Sequence, residues 1–97
     1  MVNYKVVWTK DAEDNLKEIG NWLIAENIRE RVENHLASHP FQNGRPMWGK
    51  LESLWRYRCL DKYRVIYEIL EDKIIIKVLG IGDRWERFYE KFKERQK

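Results

Sequence analysis

The stretch Leu54–Ile81, LWRYRCLDKYRVIYEILEDKIIIKVLGI, decides the fold. It contains three runs rich in aromatic and β-branched residues: Leu54–Leu60, Tyr63–Leu70 and Ile74–Ile81. Only short polar breaks, Asp61–Lys62 and Glu71–Asp72–Lys73, separate them. Strands this close, joined by turns this short, pair antiparallel, so the stretch predicts a three-stranded meander. Gly80 and Gly82 loosen the end of its last strand. Side chains two apart on a strand share a face, so Arg56 and Arg58 project from one side. The turn at Asp61–Lys62 brings Arg64 of the second strand near them.

Upstream, residues 38–50 hold Pro40, Asn43, Gly44, Pro46 and Gly49 and read as an internal connection. Before it come two helices. Thr9 is a plausible N-cap, and Asp11, Glu13 and Asp14 suit the positive end of a helix dipole. Ala12, Leu16, Ile19 and Leu23 form one apolar face. A break near Ala25–Asn27 starts a second helix, with Ile28, Val32, His35, Leu36 and His39 on one face and Pro40 at its end. Asn3–Trp8 reads as a short strand ahead of this helical hairpin. Downstream, Arg84–Arg95 reads as a terminal helix with Trp85, Phe88, Tyr89 and Phe92 on its apolar side. The order is β-α-α-β-β-β-α. It predicts one α+β domain over residues 1–97, a small, mainly antiparallel sheet packed against an N-terminal helical hairpin and a C-terminal helix.

Composition narrows the function classes. Of 97 residues, 43% are apolar and 13% aromatic, too many for a disordered chain. No apolar run approaches the roughly 18–20 residues of a membrane span. The opening MVNYKVVWTK carries no secretory apolar core, and one cysteine, Cys59, forms no internal disulfide; both point to the cytoplasm. Cys59 reads as a core thiol. His35 and His39 are one helical turn apart, but two ligands without a third are weak grounds for a metal site, so no metal or cofactor is expected. No phosphate-binding glycine loop and no nucleophile-elbow serine occurs. The net charge is only +3, yet residues 1–44 carry 5 basic and 7 acidic side chains and residues 45–97 carry 14 and 9. The basic character therefore lies in the second half.

Within that half, Arg56 and Arg58 lie on one strand, Arg64 on the next, and Arg84 and Arg87 open the last helix just past the third strand, so that the three strands can gather Arg56, Arg58, Arg64 and Arg84 into one basic patch. Arginine suits bidentate phosphate contacts and keeps its charge. A second reading stands beside this one: the polar face of a sheet facing water, with Glu68, Glu71, Glu86 and Glu90 pairing the arginines.

The same residues carry a family resemblance. Leu54-Trp55-Arg56-Tyr57-Arg58 followed by Tyr63-Arg64-Val65-Ile66-Tyr67-Glu68-Ile69 resembles the central signature of the RelE/ParE superfamily of toxins. Gly82-Asp83-Arg84 through Tyr89 resembles its closing stretch, and Tyr4–Ala12 with Leu16 resembles its start. The resemblance implies a toxin of a type II toxin–antitoxin module that enters the 70S ribosome and cuts mRNA without a metal. The 2′-OH attacks the adjacent phosphate and leaves a cyclic phosphate and a 5′-OH. It implies catalytic roles for Arg64 at the phosphate, Arg84 at the leaving group and Tyr89 on the nucleotide. It implies RNA-phosphate contacts for Arg56, Arg58, Lys62 and Arg87. Its implied partners are a RelB-like antitoxin, the ribosome and mRNA, with operator DNA met only through the antitoxin complex. Arg56 and Arg58 stand where ribosome-cutting members often have lysine. Arginine does not deprotonate, so the base would fall to Asp83 or Glu86. The alternatives are a ParE-type poison that binds DNA gyrase without chemistry, and a relic that binds only antitoxin and operator.

Overall fold

A computed structural model describes residues 3–47 and 53–83 of the chain. Strand β1 (Lys5–Trp8) leads into helix α1 (Lys10–Glu18) through Thr9, whose hydroxyl accepts from the Ala12 amide, so the expected N-cap forms. The expected continuous face from Ala12 to Leu23 does not. Ile19 caps the helix and Gly20 turns left-handed at φ 72, a conformation a glycine adopts without a Cβ penalty. Asn21 then caps helix α2 (Trp22–Arg31), accepting from the amides of Leu23 and Ile24. The helix break therefore lies at Gly20–Asn21, ahead of the predicted Ala25–Asn27, and Leu23 is left exposed.

Helix α2 widens into a π turn over Val32–Leu36, with the Ala37 amide bonded to the Val32 carbonyl. The spacing explains it. Ile28, Val32 and Leu36 recur every fourth residue, and on an α-helix each such step overshoots by about 40°. The wider turn keeps Leu36 in the core beside the other two. His35 and His39, expected on this same face, are exposed. Pro40 ends the helix and also opens a short one, α3 (Pro40–Asn43), as its first residue. The connection read as loop thus holds α3 and a two-residue strand, β2 (Arg45–Pro46).

The meander forms as expected. Strands β3 (Trp55–Cys59), β4 (Tyr63–Leu70) and β5 (Ile75–Gly82) pair antiparallel in sequence order. β1 adds to β5 in parallel and β2 to β3 antiparallel, giving the order β1-β5-β4-β3-β2. Ile74, expected in the last strand, is left-handed at φ 54 and closes the 3-10 turn Glu71–Lys73. One face of the sheet, through Tyr57, Cys59, Tyr63, Val65, Tyr67, Ile76 and Val78, shares a core with Ala12 and Leu16 of α1 and with Ile28, Val32 and Leu36. The result is an α+β fold, with five strands and three α-helices among the described residues. The predicted terminal helix at Arg84–Arg95 lies outside the described residues.

A register shift in β5 matters for the other face. Ile66 pairs with Gly80 but Tyr67 with Val78, so Leu79 is an extra residue. This bulge reverses the alternation. Ile81 enters the core, while Gly80 and Gly82 fall opposite Ile66 and Arg64.

Candidate functional site

On the face opposite the core, the register assembles arginines. Arg58 is directly across from Arg64, and Arg45 is directly across from Arg56. Directly opposed residues share a face, as do residues two apart, so all four guanidinium groups rise from one side of three adjacent strands. With Gln42 and Asn43 they line a cavity of about 500 Å³. No carboxylate lines it among the described residues.

Like charges directly opposite on neighbouring strands destabilise a sheet. Here two such pairs sit side by side. Arg64, Arg45 and Arg58 are each partly tethered. Arg64 donates from Nη1 to the Tyr63 carbonyl at 3.3 Å, and Arg45 from Nη1 to the Gly44 carbonyl at 3.4 Å. Arg58 donates from Nε to the Asp61 carbonyl at 3.0 Å and from Nη2 to its carboxylate at 3.1 Å. Arg64 has its pKa lowered, first by partial burial and then by the charges of Arg58 and Arg56, with Asp61 acting the other way. As a guanidinium it remains charged at neutral pH.

Of the acids expected to neutralise the patch, Glu68 and Glu71 do not line the cavity, and Glu86 and Glu90 lie outside the described residues. Glu68 pairs in register with Lys77, and Glu71 occupies the turn at the far end of β4. Asp61 is the acid that reaches Arg58.

Of the residues expected to act, the structure brings Arg56, Arg58 and Arg64 together. Lys62 stands apart from them, its Nζ 5.3 Å from the centroid of the Tyr63 ring, which belongs to the core face. Arg84, Tyr89, Arg87 and Glu86 lie outside the described residues. Asp83, the other candidate base, is exposed and follows Gly82, the residue directly across from Arg64.

Sequence reasoning missed Arg45. A signal was there: the residue before a proline is driven into extended backbone, and proline itself is tolerated on an edge strand. Arg45-Pro46 after Gly44 is such a signature.

The opposite side of the sheet has its own polar contact. His35 Nδ1 lies 2.8 Å from the Tyr57 hydroxyl. Burial raises the Tyr57 phenol above its ordinary value, with a hydrogen bond from Arg31 opposing it. Burial also pushes the Cys59 thiol up, which makes it an inert core thiol. Among the described residues no group of three or more His, Cys, Asp or Glu side chains is placed to hold a metal ion, and no helix is long and apolar enough to cross a membrane.

No curated protein matches the sequence. Solved structures do. The chain is similar to the toxin–antitoxin complex RelBE2 from Mycobacterium tuberculosis, with 25% identity over 87% of this chain and 94% of that one and a TM-score of 0.81. It shares its fold with a mutant of the Escherichia coli toxin RelE in the free state (14% identity, 92% and 93% covered, TM-score 0.70). It also shares it with the YoeB/ParE toxin from Agrobacterium tumefaciens (20% identity, 82% and 98% covered, TM-score 0.66). The family described as the ParE toxin of the type II toxin–antitoxin system, parDE, matches residues 6–88. With its signature strands, its sheet order and nearly its whole length accounted for, the chain belongs to the RelE/ParE superfamily of type II toxin–antitoxin toxins.

Proposed function

We propose that this toxin is a ribosome-dependent mRNA endonuclease, held inactive by a RelB-like antitoxin that covers its arginine face. The observation that carries this reading is the cavity built from Arg45, Arg56, Arg58 and Arg64. Two like-charge pairs across adjacent strands cost stability in the free protein. An anionic ligand with several oxygens converts that cost into binding. A phosphodiester backbone is such a ligand, and guanidinium groups match its geometry.

The chemistry follows from what arginine can and cannot do. When a 2′-OH attacks the adjacent phosphate, charge accumulates on the phosphorane oxygens. Preformed cations at that point stabilise the transition state more than the ground state. Arg64, half-buried and flanked by Arg56 and Arg58, is the group for this role. Arg45 and Arg56 hold the neighbouring phosphate. No arginine takes the 2′-OH proton, so Asp83 is the candidate base among the described residues, and the resemblance gives Arg84 to the leaving oxygen and Tyr89 to the nucleotide. The antitoxin partner rests on the similarity to RelBE2, which was solved as a toxin–antitoxin complex.

Inducing the chain in cells tests the reading. Codon-phased mRNA cuts with intact DNA are expected, and Arg64→Ala abolishes them. Because Arg64 leaves a like-charge cluster, its removal leaves stability within about 0.5 kcal/mol of the parent. A fully toxic Arg64→Ala overturns the site assignment.

A second reading has its own support. The matching family is named for ParE, and the arginines stand where ribosome-cutting relatives often carry lysine. In that reading the same face docks on DNA gyrase and does no chemistry. DNA breaks with intact mRNA on induction decide for it.

A further inference from the structure

The cavity has an acidic neighbour in the protein itself. Asp61 receives two hydrogen bonds from Arg58, one on its main-chain oxygen at 3.0 Å and one on its carboxylate at 3.1 Å. A guanidinium offers a phosphate the same two-pronged approach. The contact is wet, with the Arg58 and Asp61 side chains 64% and 94% exposed, so an incoming anion can displace it. It is also held in place. Leu60 and Asp61 are both left-handed, at φ 50 and 71, in the turn between β3 and β4. That turn sets Asp61 beside Arg58 and therefore beside Arg64, its partner across the strands.

We propose that Asp61 is an internal competitor for the phosphate: its carboxylate occupies Arg58 in the free protein and sets how tightly the cavity binds a nucleic-acid backbone. This rests on the cavity being a phosphate site, but not on whether the bound strand is cut. Binding must break the Arg58–Asp61 contact or work around it. The displaced carboxylate then stays close to the phosphate and repels it. Asp61 thus weakens binding both ways.

Asp61→Asn isolates the charge. Asparagine tolerates the left-handed backbone as aspartate does and keeps a carbonyl acceptor, so the turn is preserved. Glu71→Gln makes the same change of charge in the turn at the other end of β4 and serves as the control. The measurement is the affinity of the full chain for a fluorescent single-stranded 2′-O-methyl RNA oligonucleotide, which cannot be cut by 2′-OH attack. Asp61→Asn is expected to bind about fivefold tighter, or about 1 kcal/mol at 1.4 kcal/mol per decade. Glu71→Gln is expected to stay within about twofold of the parent, as remote exposed charges are screened. In an Arg58→Ala background the gain from Asp61→Asn should shrink, because only the repulsion between the carboxylate and the phosphate is left to remove. A gain no larger than the control's overturns the proposal, and so does a full gain that survives Arg58→Ala. If the parent binds and Arg64→Ala does not, the cavity reading stands even when the Asp61 effect is missing. If no arginine variant and no Asp61 variant changes the affinity, the cavity reading falls together with this one.

Discussion

At Gly44 a single missing methyl group decides how closely the arginine face can be assembled. Its backbone is extended, φ −112, so no left-handed torsion asks for glycine. Space does. A Cβ there would overlap the Tyr67 hydroxyl, come within 2.9 Å of Tyr67 Cζ and lie 3.0 Å from the Arg56 carbonyl oxygen. Tyr67 cannot yield, being fully buried with its hydroxyl donated to the Pro40 carbonyl at 2.7 Å. Gly44→Ala is therefore expected to cost about 1–3 kcal/mol through overpacking. It also shifts Arg45, the next residue, away from Arg56. Urea denaturation reads the first effect, and loss of RNA affinity toward the level of Arg45→Ala reads the second. A Gly44→Ala protein as stable as the parent would mean that β2 relaxes freely. The alternation of Arg56 and Arg58 was legible in the sequence because a strand's period is two. The pairing of Arg45 with Arg56 depends on the contact between Gly44 and Tyr67, residues 23 apart in the sequence, and no local pattern encodes it.

Individual elements are legible to the extent that their signals are local. The meander was, because its strands and turns are adjacent. The helix break was mislocated, although Gly20-Asn21 is a C′ glycine followed by an N-cap; the apolar spacing of Ala12 to Leu23 ran across it and masked it. The bulge at Leu79 was not legible, since it arises from a mismatch between β5 and its partner on β4. Its consequence reaches α1. β1 pairs with β5 only as far as Val78, so the edge beyond it needs another partner. α1 and its cap supply it. Asn15 Oδ1 accepts from the Ile81 amide at 2.9 Å, and Thr9 Oγ1 donates to the Val78 carbonyl at 2.8 Å. These side chains hold the end of β5 that places Gly82 across from Arg64. Asn15→Ala orphans the Ile81 amide at a cost of about 1–3 kcal/mol, offset by about 0.5 kcal/mol of helix propensity. A net loss of about 1 kcal/mol or more in chemical denaturation, with an unchanged m-value, is expected. Faster amide exchange at Ile81 would locate it.

For the whole molecule, net charge is the wrong quantity and its distribution the right one. The chain carries only +3, and its first 44 residues are net negative. Yet the described fold spans 35 × 34 × 23 Å, roughly two to three and a half times the Debye length of about 10 Å at 0.1 M salt. Distant carboxylates on the helices are screened from a ligand in the cavity, whereas the four arginines are within reach of it. Binding should therefore follow the local cluster. For a single strand, each phosphate neutralised contributes about 0.7 to the slope of log affinity against log salt. Four contacts predict a slope of about −2.8. Each arginine-to-alanine change in the cavity should make it shallower by about 0.7, while reversing a charge on α1 should leave it unchanged. A salt titration of oligonucleotide binding, run on the parent and on Arg45→Ala, Arg56→Ala and Arg64→Ala, measures these slopes directly. A slope near zero would mean that the affinity comes from stacking or from a protein surface, and would favour docking on gyrase over a hold on RNA. A slope that falls stepwise with each arginine would assign the basic half of the sequence to one cavity on one face of the sheet.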